Sequence, residues 1–68
     1  MGAALCIEIV FLLPGGKKRV QQFKTELEVA EHLKATYTTE APISFTYTDG
    51  TPLNSRTIER IYAIVFAK

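Results

Sequence analysis

The 68-residue sequence contains a single cysteine, Cys6, and a single histidine, His32. One cysteine excludes an internal disulfide and therefore the class of small secreted proteins that disulfides hold together. A zinc site or a catalytic triad also needs more partners than one cysteine and one histidine provide. We therefore expect no metal, no cofactor and no enzymatic activity. We predict a reducing, cytoplasmic location, with Cys6 packed as a small apolar side chain and His32 on the surface of a helix.

The sequence also has little net charge and no long apolar run. Eight basic and seven acidic residues leave a net charge of +1, which creates no overall field to attract nucleic acid or an anionic membrane. The apolar run from Ala3 to Leu13 contains Glu8, is shorter than the roughly 20 residues that span a bilayer, and lacks the early basic residues of a secretory signal. A hydrophobic content of 47% is ordinary for a globular protein. We expect one small domain covering residues 1–68, without a membrane partner.

The first third of the chain predicts an antiparallel hairpin. The stretch from Leu5 to Leu13 is rich in Ile and without Gly or Pro, which favours a strand, and its two mostly apolar faces favour a central position. Pro14 to Gly16 fits a type II turn. The polar stretch from Lys17 to Lys24 then predicts an edge strand protected by its basic residues. Because Val20 and Phe23 would lie on opposite faces of a regular strand, we expect a bulge or an early end there.

A capped helix follows the hairpin. Thr25 and Glu28 have the spacing of a capping box, and acidic residues dominate the first two turns, where the helix dipole favours them. We predict that the helix ends near Thr36, because threonines and then Pro42 follow. The apolar stripe of this helix consists of Leu27, Val29, Ala30, Leu33 and Tyr37.

The stretch from Ile43 to Leu53 alternates between apolar and hydroxyl side chains, which is typical of a strand with one buried face. Asp49-Gly50 predicts a tight turn that ends this strand, because glycine accepts a positive φ. Pro52 cannot donate a backbone hydrogen bond, so we do not expect regular pairing to continue through it. The polar outer face marks this strand as an edge.

The segment from Thr57 to Ala67 fits two structures. Ser55 is a suitable cap, and residues 61–66 also alternate as in a strand. The apolar residues with helical spacing are Ile58, Ile61, Tyr62 and Val65. Their β-branched and aromatic side chains favour a strand from about Ile61 to Phe66, which is the prediction we make.

These elements predict an α+β fold in the order β-β-α-β-β. Strands one and four are apolar on both faces, so we place them in the centre of a mixed four-stranded sheet in the order 2-1-4-3, with the helix packed on one face. A helix in the last segment would instead give β-β-α-β-α and exclude this arrangement.

This predicted arrangement resembles the ubiquitin-like β-grasp family. The resemblance is carried by the hairpin I-E-I-V-F-L-L-P-G-G-K-K-R-V, the helix T-E-L-E-V-A-E-H-L-K and the stretch F-T-Y-T-D-G-T-P-L. It covers most of the chain. The family's conjugating members end in an activated diglycine, whereas this chain ends Phe66-Ala67-Lys68. The resemblance therefore implies non-covalent binding through the sheet.

The predicted function is that of a small protein-interaction module. If one sheet face packs on the helix, alternation turns four apolar side chains outward, and a bare apolar face predicts a protein partner or self-association, for example as a homodimer. A misplaced chain segment that covers this face is the alternative explanation. The predicted partner-binding residues are Val10, Leu12, Ala63 and Val65.

Nucleic-acid binding is the alternative function. A basic cluster on a hairpin with aromatic neighbours occurs in small nucleic-acid-binding proteins. The same charges can serve only to protect an edge strand from aggregation. The residues concerned are Lys17, Lys18, Arg19 and Lys24.

Overall fold

A computed structural model describes residues 5–67 as a three-stranded antiparallel sheet with two helices. Ala3 and Ala4, the start of the predicted apolar run, lie outside this range. The strand order is β2-β1-β3, so β1 is central, as predicted, and pairs with both neighbours. The elements are β1 (Ile7–Leu12), a short 3-10 turn (Pro14–Gly16), β2 (Lys18–Phe23), α1 (Glu26–Thr36), β3 (Ala41–Tyr47) and α2 (Ser55–Val65).

The first hairpin forms as the sequence predicts. The amide of Gly16 donates to the Leu13 carbonyl at 3.1 Å, and Gly15 has φ 86° and ψ 4°, the values that the third residue of a type II turn requires. The predicted irregularity in β2 is wrong, because β2 pairs in regular register along its whole length. Val20 and Phe23 do lie on opposite faces of β2. Val20 is exposed, and Phe23 is buried in the core.

The bulge lies in β3 instead. Val10 of β1 pairs with Ser44, whereas the next residue, Phe11, pairs with Pro42, so Ile43 is the extra residue of the bulge. Ile43 is exposed, while Phe45 and Tyr47 are half-buried on the helix-covered face. The bulge ends the clean alternation that the sequence shows.

Helix α1 begins at its predicted cap. The Thr25 hydroxyl accepts the Glu28 amide at 3.2 Å, and the Glu28 carboxylate lies 3.5 Å from the amide of Lys24. Val29, Ala30 and Leu33 are buried against the sheet and the second helix. The helix ends at Thr36, as expected from the threonines that follow.

After β3 the chain turns back at Asp49-Gly50, where Gly50 has φ 91°. The following segment runs along the outer edge of β3, and the amide of Leu53 donates to the Phe45 carbonyl at 3.1 Å. Pro52 forms an isolated bridge with Thr46, and its missing N–H is tolerated because the residues on either side make the hydrogen bonds. This segment pairs with residues 45–47 at one end of the free edge of β3.

The predicted fourth strand is wrong, because Ser55–Val65 is helix α2. The Asn54 side chain caps it by accepting the Arg56 amide at 2.7 Å. Thr57, Ile61 and Val65 are buried along one side, four residues apart. A capped helix of eleven residues buries these side chains along one side. In a strand, neighbouring apolar residues would face opposite sides of the sheet, and both sides would need apolar cover.

The β-grasp arrangement is therefore also wrong. The sheet has three strands in the order 2-1-3 and two helices, not four strands in the order 2-1-4-3 and one helix. The fold is a small α+β domain in which both helices contribute to one core on one face of the sheet. Neither helix in residues 5–67 has the length and apolar character needed to cross a membrane. The core residues are Ile7, Ile9, Phe11, Phe23, Val29, Ala30, Leu33, Leu53, Ile61 and Val65.

Candidate functional site

The face of the sheet that points away from the helices is the candidate interaction surface, here called the outer face. The register of both ladders assigns its members, because directly paired residues in antiparallel strands share a face. At its centre Val10 is half-buried, Val20 is 57% exposed and Leu12 is 38% exposed. The outer face consists of Glu8, Val10, Leu12, Lys18, Val20, Gln22, Ala41, Ser44 and Thr46.

Two of the predicted partner-binding residues lie elsewhere. Val10 and Leu12 do lie on the outer face, as predicted. Their position follows from the alternation of side chains within β1 alone and does not depend on the predicted fourth strand. Ala63 and Val65 were assigned to this face through the predicted fourth strand, and both lie in α2. Val65 is buried in the core and Ala63 is exposed on the other side of that helix, so neither adjoins the outer face.

Val20 is the outer-face residue that the sequence analysis missed. The hairpin register places it directly opposite Val10. The sequence does contain a signal for it, because Lys18, Val20 and Gln22 are two residues apart and share one side of a regular strand, whereas Phe23 lies on the other side. The predicted bulge in β2 is incompatible with this regular pattern.

The four predicted nucleic-acid contacts do not form one patch. Lys18 lies on the outer face, whereas Arg19 points to the opposite face, where its guanidinium is 2.6 Å from the Glu40 carboxylate. Lys17 follows the turn, and Lys24 lies beyond the other end of β2. The strand geometry thus separates residues that are adjacent in sequence.

Arg19, His32 and Glu40 form a polar cluster at the side of the core. Arg19 Nη2 lies 3.4 Å from His32 Nε2 and donates to Gln21 at 3.1 Å. His32 Nε2 lies 3.5 Å from the Glu40 carboxylate. The imidazole packs against Phe11 and Phe23, with ring centroids 5.1 and 5.2 Å apart. His32 is therefore half-buried, not a surface residue of the helix as predicted.

The charges of this cluster are paired, although the Arg19 Nε is buried without a hydrogen-bond partner. Arg19 Nη2 has two N–H groups, and its two shortest contacts are with the Glu40 carboxylate at 2.6 Å and the Gln21 side-chain oxygen at 3.1 Å. Glu40, whose side chain is 14% exposed, balances the arginine charge. The cluster joins β2, α1 and the segment before β3, and Arg19 also lies over the Phe11 ring at 5.6 Å. This arrangement holds these three elements together.

A second exposed apolar surface lies where the two helices end. Phe66, 64% exposed, stacks on Tyr62 with centroids 6.0 Å apart, and Tyr37 meets Phe66 edge-on at 6.2 Å. Tyr62 also contacts Phe45 of β3. Partial burial raises the pKa of the Tyr62 hydroxyl above its usual value of 10.0. Despite these contacts, Tyr37 remains 59% exposed and Phe66 64% exposed.

Between residues 5 and 67 there is no concave pocket and no group of three or more metal-ligating side chains. Cys6 is a half-buried free thiol.

Comparison of the chain with protein-family models, with curated proteins and with solved structures gives no match. The resemblance to the ubiquitin-like family stays an untested prediction.

Proposed function

We propose that this protein is a small non-catalytic interaction module that binds protein through the outer face of its sheet. The observation that supports this proposal is the continuous apolar strip of Val10, Leu12 and Val20 across β1 and β2. Both helices pack on the opposite face, and none of the described segments covers the strip. Removing such a strip from water is favourable by roughly 25 cal/mol per Å² of apolar area.

The central residue for a test is Val20, because its exposure allows a charge to be introduced without disturbing the core. Val20→Asp places a carboxylate in the middle of the strip, where docking would desolvate it. Leu27→Asp in α1 is a matched control, since Leu27 is 54% exposed and Val20 is 57% exposed. Circular dichroism checks that both variants remain folded.

We expect Val20→Asp to abolish both self-association in sedimentation and capture of any protein partner. Leu27→Asp should leave both unchanged. If Val20→Asp associates as the unmodified chain does, the outer face is not the binding surface.

Nucleic-acid binding has less geometric support, because Arg19 is paired with Glu40 and the lysines diverge. A salt titration separates the two functions. Binding through phosphate contacts weakens steeply as salt rises, whereas apolar docking of a sheet does not. Lys17→Glu with Lys18→Glu removes the two exposed charges at the turn without breaking the Arg19 pair, and unchanged retention on nucleic acid would exclude this alternative.

A further inference from the structure

The outer face carries a charge pattern that is complementary to itself. Among the side chains that the described strands direct to this face, only Glu8 and Lys18 are charged. Glu8 lies at one end of β1, and Lys18 lies opposite Leu12 at the other end. Val10 and Val20, a directly opposed pair, lie between them.

We propose that the occupant of the outer face is a second copy of this chain, docked about a two-fold axis. This inference rests on the proposed function. The axis lies between the two sheets, perpendicular to the strands, and passes by Val10 and Val20. It sets β1 of one copy antiparallel to β1 of the other, so that the two faces pack as in a β-sandwich.

This axis is the arrangement that the side chains favour. Each valine meets its own counterpart, which joins the two apolar strips. Glu8 of one copy comes beside Lys18 of the other, one strand spacing or about 4.8 Å to the side, and the pair occurs twice. A two-fold axis along the strands would instead set Glu8 against Glu8, which like charge disfavours.

Both charged side chains are available for this contact. Neither takes part in an ion pair within residues 5–67. Glu8 accepts a hydrogen bond from Gln22 at 3.2 Å, and Gln22 is its cross-strand neighbour on the same face. That bond orients the carboxylate and leaves its second oxygen for the partner copy.

The small area of the outer face indicates a weak dimer. Strands of six or seven residues at about 3.4 Å per residue, spaced about 4.8 Å apart, give a face of roughly 20 by 14 Å. Counted on both copies this is roughly 560 Å², below the roughly 1,200 Å² at which standard specific interfaces begin and in the range of weak, transient contacts. We therefore expect a reversible dimer with a dissociation constant in the micromolar range or weaker.

Two single charge reversals test the axis. Glu8→Lys leaves two basic residues on the face, and Lys18→Glu leaves two acidic residues. Each variant alone then sets like charges together at both ends, and we expect its self-association to weaken by about tenfold or more. An equimolar mixture restores both ion pairs, because the basic face of one chain meets the acidic face of the other.

The measurement is sedimentation velocity over a concentration series, with reductant present so that Cys6 cannot link two copies. We expect each single variant to sediment as a monomer where the unmodified chain is a dimer, and the mixture to form a one-to-one heterodimer. The double variant Glu8→Lys with Lys18→Glu should dimerise again. Lys17→Glu and Glu31→Lys, which change net charge by the same amounts away from the outer face, should have little effect.

Two results would overturn this inference. One is self-association of the single variants as strong as that of the unmodified chain, or a mixture that forms no heterodimer. The other is an unmodified chain that is monomeric at every concentration. In either case the comparison of Val20→Asp with Leu27→Asp still decides separately whether the outer face binds another protein.

Discussion

The two faces of β1 differ completely in their surroundings although they alternate residue by residue. Ile7, Ile9 and Phe11 are buried under the helices, whereas Val10 is half-buried and Leu12 exposed on the outer face. Both sets are apolar, so composition does not distinguish them. What differs is the coverage, because both helices pack on the same side. An apolar side chain of the inner face stabilises the fold, and one of the outer face is available for a partner.

The largest effect that separates the faces comes from truncating neighbouring residues of β1. Phe11→Ala leaves a cavity in the core and should cost about 3–5 kcal/mol, comparable with the whole stability of a domain this small. Leu12→Ala, on the outer face, should cost less than about 1 kcal/mol. Urea unfolding followed by circular dichroism measures both. Similar losses for the two variants would contradict the division between the faces.

Loss of a polar contact should also destabilise the fold more beside the core than on the outer face. Glu40→Gln removes the charge that balances Arg19 at the side of the core, where the Arg19 Nε is buried without a hydrogen-bond partner. We expect a loss of about 1–2 kcal/mol in the free energy of unfolding, reduced by the partial exposure of the guanidinium. Glu8→Gln changes a hydrogen-bonded carboxylate on the outer face and should change monomer stability much less. If the two variants unfold alike, the Arg19 cluster is not a structural contact.

The inner face depends on α2 being a helix, and its cap tests this. Asn54→Ala removes the side chain that accepts the Arg56 amide and should cost about 1 kcal/mol, or roughly 4–8 °C in Tm for a domain of this size. Ser55→Ala changes the next residue without removing that bond and should have little effect. Equal shifts in thermal unfolding would show that Asn54 does not cap a helix.

The smallest effect concerns the ion pair between the helices on the solvent side. Arg60 donates to both carboxylate oxygens of Glu26, at 3.0 and 3.2 Å, and these hydrogen bonds lower the pKa of Glu26 below 4.5. A lowered pKa stabilises the folded state above pH 4.5, and this contribution is lost as the pH falls through the folded-state pKa.

Arg60→Gln should therefore reduce the acid sensitivity of Tm by a small amount. Arg56→Gln, in the same helix, is the control, because Arg56 has no carboxylate partner among the described residues. Identical pH profiles for Arg60→Gln and the unmodified chain would contradict the contribution of this pair.

The sequence predicts local features well because their causes are local. The Thr25 cap, the Pro14-Gly15 turn and the shared face of Val10 and Leu12 depend on residues within a few positions, and all three are found in the structure. The central position of β1 also follows from its two apolar faces.

Local sequence features do not determine whether the segment that forms α2 is a helix or a strand. Ile61 and Val65, four residues apart, fit both the helical and the strand period, and β-branched side chains favour the strand. The cap at Asn54 and burial against α1 and the sheet decide for the helix. Ala63 and Val65 were placed on the outer face as a consequence of that error. The pairing of Arg19 with Glu40 joins residues 21 positions apart and depends on the whole topology.

The docking of a second copy on the outer face can be measured in solution. Sedimentation velocity of the unmodified chain beside Val20→Asp, over the same concentration series, tests it most directly. We expect the unmodified 7.6 kDa chain to shift reversibly from monomer to dimer as concentration rises, whereas Val20→Asp stays monomeric. A monomer at all concentrations, or a dimer that persists in Val20→Asp, would contradict it.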